Sequence, residues 1–337
     1  MPMAIESACF VAVADNGLDS FRVFSEDVQD GVEFRIEDLD SAKPRKGWSD
    51  YIIGVAAELK RAGVPLKGRD LLIESTIPMG AGLSSSAALE VACTLAMLGP
   101  NRMEPLEVVH LCQRAENNFV GVPCGIMDQF TSVFGRAGVA IKLDCRSLEY
   151  EPVPLPRHAA IVAVNSMVKH ELGASVYRER VAECKAVLEA IKEKFPAVNS
   201  LREVTPDMLA DFNWVPVKRA RHVVGENMRV QAFANACRAG NIQSMGVYFS
   251  QSHRSLQTEF EVSCPEIDFL VETAMQQNGC FGARLTGGGF GGCTVNLVTR
   301  EAVPDFRSRM RQAYQYSYGI DPQVLLCEPG NGASTFA

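Results

Sequence analysis

The sequence lacks an excess of basic charge, a C-x-x-C pair, a long apolar run and any internal repeat, and each lack removes a class of protein. Lys and Arg number 33 against 40 Asp and Glu, a formal net charge of −7. The broad basic footprint of a nucleic-acid or anionic-membrane binder is therefore missing. A local anion site is not excluded, because backbone N–H groups can cradle a phosphate without net charge. The 11 cysteines are scattered from Cys9 to Cys327 with no pair at C-x-x-C spacing. That removes zinc-ribbon and thioredoxin-like readings and fits reduced, mostly buried thiols in a cytoplasmic protein. The 5 histidines share no spacing, so no metal site is assigned to them. The opening MPMAIESACF has neither the basic nor the apolar region of a signal peptide. No run of about 18 apolar residues is present to cross a membrane, and no period recurs that would indicate a solenoid.

What is present suits a globular chain. Of 337 residues, 47% are apolar and 22% charged, enough to build a core, and the length suggests two domains at about 100–200 residues each. Alternating apolar residues around Phe21, Val23, Phe34 and Ile36 read as half-buried strands. Asp15-Asn16-Gly17 reads as a hairpin turn. WSDYIIGVAAELKRAG, stopped by Gly63 and Pro65, reads as a helix. Pro152, Pro154 and Pro156 make a poor interior for a regular element, and the domain boundary is expected there, giving 1–157 and 158–337. Strands and helices in mixed order indicate an α+β fold.

Three segments carry candidate chemistry. The first is Pro78-Met79 followed by Gly80, Ala81, Gly82, Leu83, Ser84, Ser85 and Ser86, running straight into a helix. Glycines allow close backbone approach, and unpaired N–H groups with the helix dipole suit a polyphosphate. No Gly-Lys-Ser/Thr follows, so this is not a Walker A loop. The second is Gly287–Gly292, whose excess of glycine suggests that something passes close to the backbone. The third is Gly125-Ile126-Met127-Asp128-Gln129, where a lone Asp before a helix reads first as an N-cap. Glu116, near a helix end, reads alone as a solvated side chain. Lys218-Arg219-Ala220-Arg221-His222 reads as a solvated helix face, and Trp48 and Tyr51, three residues apart on a helix, read as core packing.

In this order the three segments resemble the GHMP kinase superfamily. PMGAGLSSSAALEVA, AENNFVGVPCGIMDQFTSVFG, KRARHVVGE, SHRSLQTEFEVSCPEID and GARLTGGGFGGCTVNLV together resemble its galactokinase family, over nearly the whole chain. The resemblance implies a two-domain α+β fold with the active site between the domains. It implies Mg²⁺-dependent transfer of a phosphoryl group from ATP to the anomeric hydroxyl of α-D-galactose. Gly80 to Ser86 then match the phosphate loop, Ser86 and Glu116 the magnesium ligands, and Asp128 the catalytic aspartate. Gly125, Asp128 and Tyr177 match the sugar pocket, Trp48 and Tyr51 the aromatic side of the adenine pocket, and Gly287–Gly292 the third family motif. Such a protein is expected to be a cytoplasmic monomer.

The chain also departs from the family pattern. Family members carry an Arg-, Glu-, His- and Asp-containing motif just before a Leu-Pro-Met-Ala segment. Here Met1-Pro2-Met3-Ala4 matches that segment, so the arginine and the sugar-holding residues of that motif have no counterpart. Two explanations compete, a start assigned too far downstream and a truly short chain; the first is favoured because the remaining motifs are intact, and the chain as written is expected to phosphorylate galactose poorly or not at all. Two other functions fit the motifs: an N-acetylgalactosamine kinase, and a non-catalytic sugar- or nucleotide-binding homologue.

Overall fold

Segments of alternating polarity open the chain as strands β1 (Cys9–Asp15), β2 (Ser20–Ser25) and β3 (Asp30–Arg35). With β4 (Arg69–Ser75) they form a sheet in the order β1-β4-β2-β3. The expected hairpin at Asp15-Asn16-Gly17 is not formed. β4 lies between β1 and β2, antiparallel to the first and parallel to the second. Asn16 serves the turn differently, donating to Ser20 O and to Asp70 Oδ1 on β4. A turn signal fixes local backbone, whereas strand order is decided by which faces are buried.

The computed structural model describes residues 1–170 and 173–335. They divide into one unit of residues 1–152 with the tail from Glu328, and a second unit, Val153–Cys327. The sequence expectation had put the division after residue 157. In the first unit the tail is tied down by a bridge between Ile5 and Pro329, and the Gly332 N–H donates to Gly135 O. Among the described residues no helix is long and apolar enough to cross a membrane. None of the eleven cysteines forms a disulfide, and six of them are buried.

In the first unit, Phe21 and Val23 of β2 and Leu71 and Ile73 of β4 turn to one face of the sheet. Against them pack α1 (Ser49–Arg61), α2 (Ser85–Leu98) and α3 (Pro105–Arg114), supplying Ile52, Val55, Leu59, Val91, Met97 and Leu111. Each such fully buried side chain contributes about 1.5–3 kcal/mol. Three N–H groups before α1, of Arg45, Lys46 and Gly47, donate to the buried Asp50 carboxylate. α2 stops at Gly99, and α3 starts on Pro105, where a missing N–H costs nothing. α3 runs on into a π turn, Ala115–Val120. Gly54 of α1 makes room for that turn: a Cβ on it would stand 3.1 Å from Phe119 Cβ. Then come α4 (Met127–Phe134) and the pair β5 (Val139–Leu143) and β6 (Tyr150–Pro154). The proline stretch expected to resist regular structure therefore does form a strand. A two-stranded ribbon leaves β6 with a free edge, where proline is tolerated.

The second unit is built on β7 (Ala159–Lys169), followed by α5 (Gly173–Lys194), α6 (Val217–Arg238), α7 (Ile242–Ser255) and α8 (Pro265–Met275). β8 (Cys280–Leu285), β9 (Gly291–Thr299), α9 (Val303–Tyr318) and β10 (Gln323–Cys327) complete it. Its antiparallel sheet runs β10-β7-β9-β8, with α8 and α9 packed on it through Leu270, Phe306 and Met310.

Candidate active site

The loop before α2 has an unusual backbone. Gly80, Gly82 and Ser84 all lie in the left-handed region, with φ of 70°, 71° and 59°. Glycine takes that conformation freely, but serine does not, and such strain in a non-glycine residue concentrates at functional sites. Ser84 occupies the N-cap position of α2 without a side-chain capping bond. A hydroxyl at this position would ordinarily cap the helix, and this one does not. Alternating left-handed residues point successive N–H groups into one concavity, a geometry that suits anions.

Ser86, in the first turn of α2, leads into a buried acid cluster. Its Oγ lies 3.3 Å from Glu116 Oε1. Glu116 belongs to the π turn and is only 6% exposed. It is not the solvated glutamate that its sequence position suggested. Glu116 Oε2 accepts from Gln129 Nε2 at 2.7 Å and from the Cys124 thiol at 3.3 Å. The same Gln129 nitrogen reaches Glu90 Oε2 at 3.2 Å. Burial raises the Glu116 carboxyl above its ordinary value, against the three hydrogen bonds it accepts. Burial pushes the fully buried Glu90 up to about 9, with the charge of Glu116 adding to the effect. Among the described residues no Lys or Arg pairs with Glu90, Glu116 or Asp128, so the cluster is acid without a protein counter-charge.

Asp128 is the second residue of α4 and half-buried. It is not an N-cap: Ile126 takes that position, with no side-chain capping bond. Its charge is felt by both Glu90 and Glu116. Tyr51 faces the same cluster, its hydroxyl held above its ordinary pKa by burial and then by Glu116 and Glu90. Trp48 is tied to β3 instead, where its indole N–H donates to Asp30 at 3.1 Å. Gly125 is exposed, and a Cβ there would meet nothing within 4 Å. In the second unit Tyr177 is 43% exposed, its ring edge-on to Phe260. At Gly287–Gly292 the chain itself is the close neighbour. A Cβ on Gly289 would stand 2.2 Å from Val262 O, and the Phe290 N–H donates to that oxygen. The basic stretch on α6 is a solvated face only in part: Lys218 and Arg221 are exposed, whereas Arg219 is 1% exposed and His222 is buried.

Sequence reasoning missed Glu90 and Gln129. A signal for Glu90 was present. It stands four residues after Ser86, hence on the same face of α2, between the apolar Leu89 and Val91. Gln129 carried none, since an amide beside an Asp at a helix start is unremarkable.

Two family models match the chain: the GHMP kinases N terminal domain over residues 50–136 and the GHMP kinases C terminal over 233–315. A galactokinase of Roseiflexus sp. (strain RS-1) is 44% identical over 98% of this chain and 86% of that one. The galactokinase of Bos taurus is 39% identical over 99% of this chain and 86% of its own. The chain belongs to the galactokinase family. A solved structure of the family, Lactococcus lactis galactokinase complexed with galactose, superposes with a TM-score of 0.90. It is 35% identical and is matched over 99% of this chain and 88% of that one. A mevalonate kinase at 18% identity and a TM-score of 0.68 shares the fold, with 98% of this chain and 91% of that one covered. The protein is thus a two-domain α+β kinase of the GHMP superfamily, with ATP as its co-substrate. The acid cluster and the left-handed loop both lie within or beside the stretch matched by the N-terminal model.

Proposed function

We propose that this chain transfers the γ-phosphoryl group of ATP to the anomeric hydroxyl of α-D-galactose. The observation that carries the reading is the 44% identity to a galactokinase over nearly the whole chain, together with a left-handed glycine–serine loop that leads into carboxylates with no counter-charge among the described residues. Phosphoryl transfer needs positioning and charge stabilisation more than covalent chemistry. Gly80 to Ser86 hold the phosphates through N–H groups and the α2 dipole. The Asp128 carboxylate, with no hydrogen bond to another described residue, is free to accept the sugar proton or to orient the hydroxyl. Gly125 and Tyr177 are assigned to the sugar, and Trp48 and Tyr51 to the adenine side, on the family resemblance alone.

The residues also fit a magnesium ion. Mg²⁺ takes oxygen ligands at about 2.0–2.1 Å, so neighbouring ligands stand about 2.9 Å apart. Ser86 Oγ and Glu116 Oε1, at 3.3 Å, need close only slightly. Bound there, the ion would neutralise charge on the phosphates. The test is ADP release with a panel of galactose, N-acetylgalactosamine, glucose and mevalonate. Galactose is expected to be turned over fastest. Faster turnover of N-acetylgalactosamine would move the substrate, and ATP binding without turnover of any member would replace the enzyme with a binding protein.

A further inference from the structure

Gln129 is fully buried and carries no charge, yet it stands between two carboxylates. Its Nε2 is within 2.7 Å of Glu116 Oε2 and 3.2 Å of Glu90 Oε2. An amide nitrogen has two hydrogens to donate, so one side chain can serve both. The orientation follows from chemistry, because turning the amide oxygen to Glu116 Oε2 would place acceptor against acceptor. The bond to Glu116 has a geometric consequence. Gln129 and Cys124 both engage Oε2, which leaves Oε1 turned to Ser86 Oγ. The protein thus clamps one oxygen of Glu116 and presents the other beside a second oxygen ligand.

We propose that Gln129 is the positioning residue that fixes the Glu116 carboxylate for the cation, and that Glu90 in turn anchors Gln129. The inference rests on the reading above, in which Ser86 and Glu116 receive a divalent ion. Three observations support the chain of contacts. Ser86 and Glu90 lie one turn apart on α2, so the anchor and the hydroxyl ligand share one rigid element. Gln129 directly follows Asp128 on α4, so the clamp also ties the helix bearing Asp128 to the π turn bearing Glu116. Finally, Glu90 Oε1 and Gln129 Oε1 are buried without a hydrogen-bond partner among the described residues. Leaving polar atoms unsatisfied costs stability, and such cost is common where a site is arranged for function. The near-neutral Glu90 acid, raised by burial, can occupy this anchor without setting a second full charge against Glu116.

The test measures binding of the Mn²⁺–ADP complex and of metal-free ADP to the whole protein, with Mn²⁺ as an oxygen-seeking stand-in for Mg²⁺. Outer residues that orient a metal ligand commonly matter by 10–100-fold in metal affinity. Gln129→Met is therefore expected to weaken Mn²⁺–ADP binding by about tenfold, while metal-free ADP binding and the KM for the sugar stay unchanged. Should Gln129→Met fail to fold, Gln129→Asn keeps the amide but withdraws it by one carbon. Glu90→Met should weaken Mn²⁺–ADP binding in the same way, and the double variant should be no worse than the poorer single, since the contacts act in series. Glu90→Gln, which still offers an oxygen to Gln129, should restore the wild-type affinity. A folded Gln129 variant with unaltered Mn²⁺–ADP affinity would overturn the inference alone. Wild-type protein that binds Mn²⁺–ADP no better than metal-free ADP would overturn the metal reading beneath it and the inference with it.

Discussion

Two polar clusters, one in each unit, are built on opposite principles. In the first unit, Glu90, Glu116 and Asp128 lie close enough to feel one another's charge with no cationic side chain paired to them among the described residues, and burial raises the carboxyls of Glu90 and Glu116. In the second, Arg219 donates to Glu183 and Glu261 at 2.7 Å each and also to Glu259 O. Burial alone would raise Glu183, but Arg219 and Arg180 carry it below its ordinary value. The hydrogen bond from Arg219 lowers Glu261 as well. Glu226 follows the same pattern: burial would raise it, and Arg284, Ser252 and Arg229 more than offset that. Buried charge is costly unless paired. A cluster paired within the protein is complete as it stands and serves the fold. A cluster left without counter-charge is completed by something from outside, and that difference separates a candidate site from a structural network.

The sharpest way to break this contrast is to delete one member from each side. On the proposed function, Asp128→Ala should lower kcat by about 10²–10⁴-fold and leave the unfolding midpoint nearly unmoved. Retention of more than about a tenth of wild-type kcat would be inconsistent even with the weakest proton-acceptor role. Arg219→Met should do the reverse. It leaves Glu183 and Glu261 without the partner buried between them; both carboxylates reach solvent and keep Arg180 or Lys218 nearby, so the cost falls below the roughly 3 kcal/mol of breaking a fully buried pair. Urea or thermal unfolding should report that loss while ATP binding survives. If Arg219→Met instead abolished turnover at full stability, the second cluster could not be called structural.

Much of this contrast was out of reach of the sequence, for identifiable reasons. A helix directly after the glycine–serine loop and its stop at Gly99 follow from local chemistry that a few neighbouring residues suffice to specify. The neighbour of β1 does not, because β4 enters the sheet more than fifty residues later. Burial of a charged residue is likewise non-local. Arg219 on a Lys-Arg-Ala-Arg-His stretch and Glu116 near a helix end look solvated until their partners, Glu261 and Gln129, are brought in from distant segments. The proline-bearing β6 escaped because free-edge placement is a property of the sheet.

A smaller effect sharpens the site side. Ser86→Ala and Glu116→Gln each remove or weaken one oxygen ligand, so each should raise the Mg²⁺ concentration needed for half-maximal turnover, Glu116→Gln the more because it also removes charge. A Mg²⁺ titration unchanged in both variants would move the cation away from this pair.

The smallest effect is a difference of slope with pH, and its sign differs between the two clusters. Glu90 keeps its proton in the folded protein up to about 9, whereas an unfolded chain releases it at about 4.3. The folded state therefore holds more protons across that window, and stability falls as pH rises through it. For Glu183, Glu226 and Glu261 the folded values are lowered. Their contribution is present above the ordinary glutamate value and is lost as pH falls through the folded values. The groups acting on or near Glu90 are Glu116 and Asp128, the Tyr51 hydroxyl, and the thiols of Cys93, Cys112 and Cys124. The thiols are pushed up by burial, so they stay protonated in the folded state near neutrality. His222, lowered to about 4 by burial, has its own window below about 6.5. Between pH 6.5 and 8 the Glu90 contribution is therefore best isolated, at no more than about 1.4 kcal/mol per pH unit. Unfolding midpoints measured across that interval should decline more steeply in the wild type than in Glu90→Gln, which has no proton to lose. Parallel slopes would mean that Glu90 is already ionised in the folded protein, and the first cluster would then need a cation of its own even before any ligand arrives.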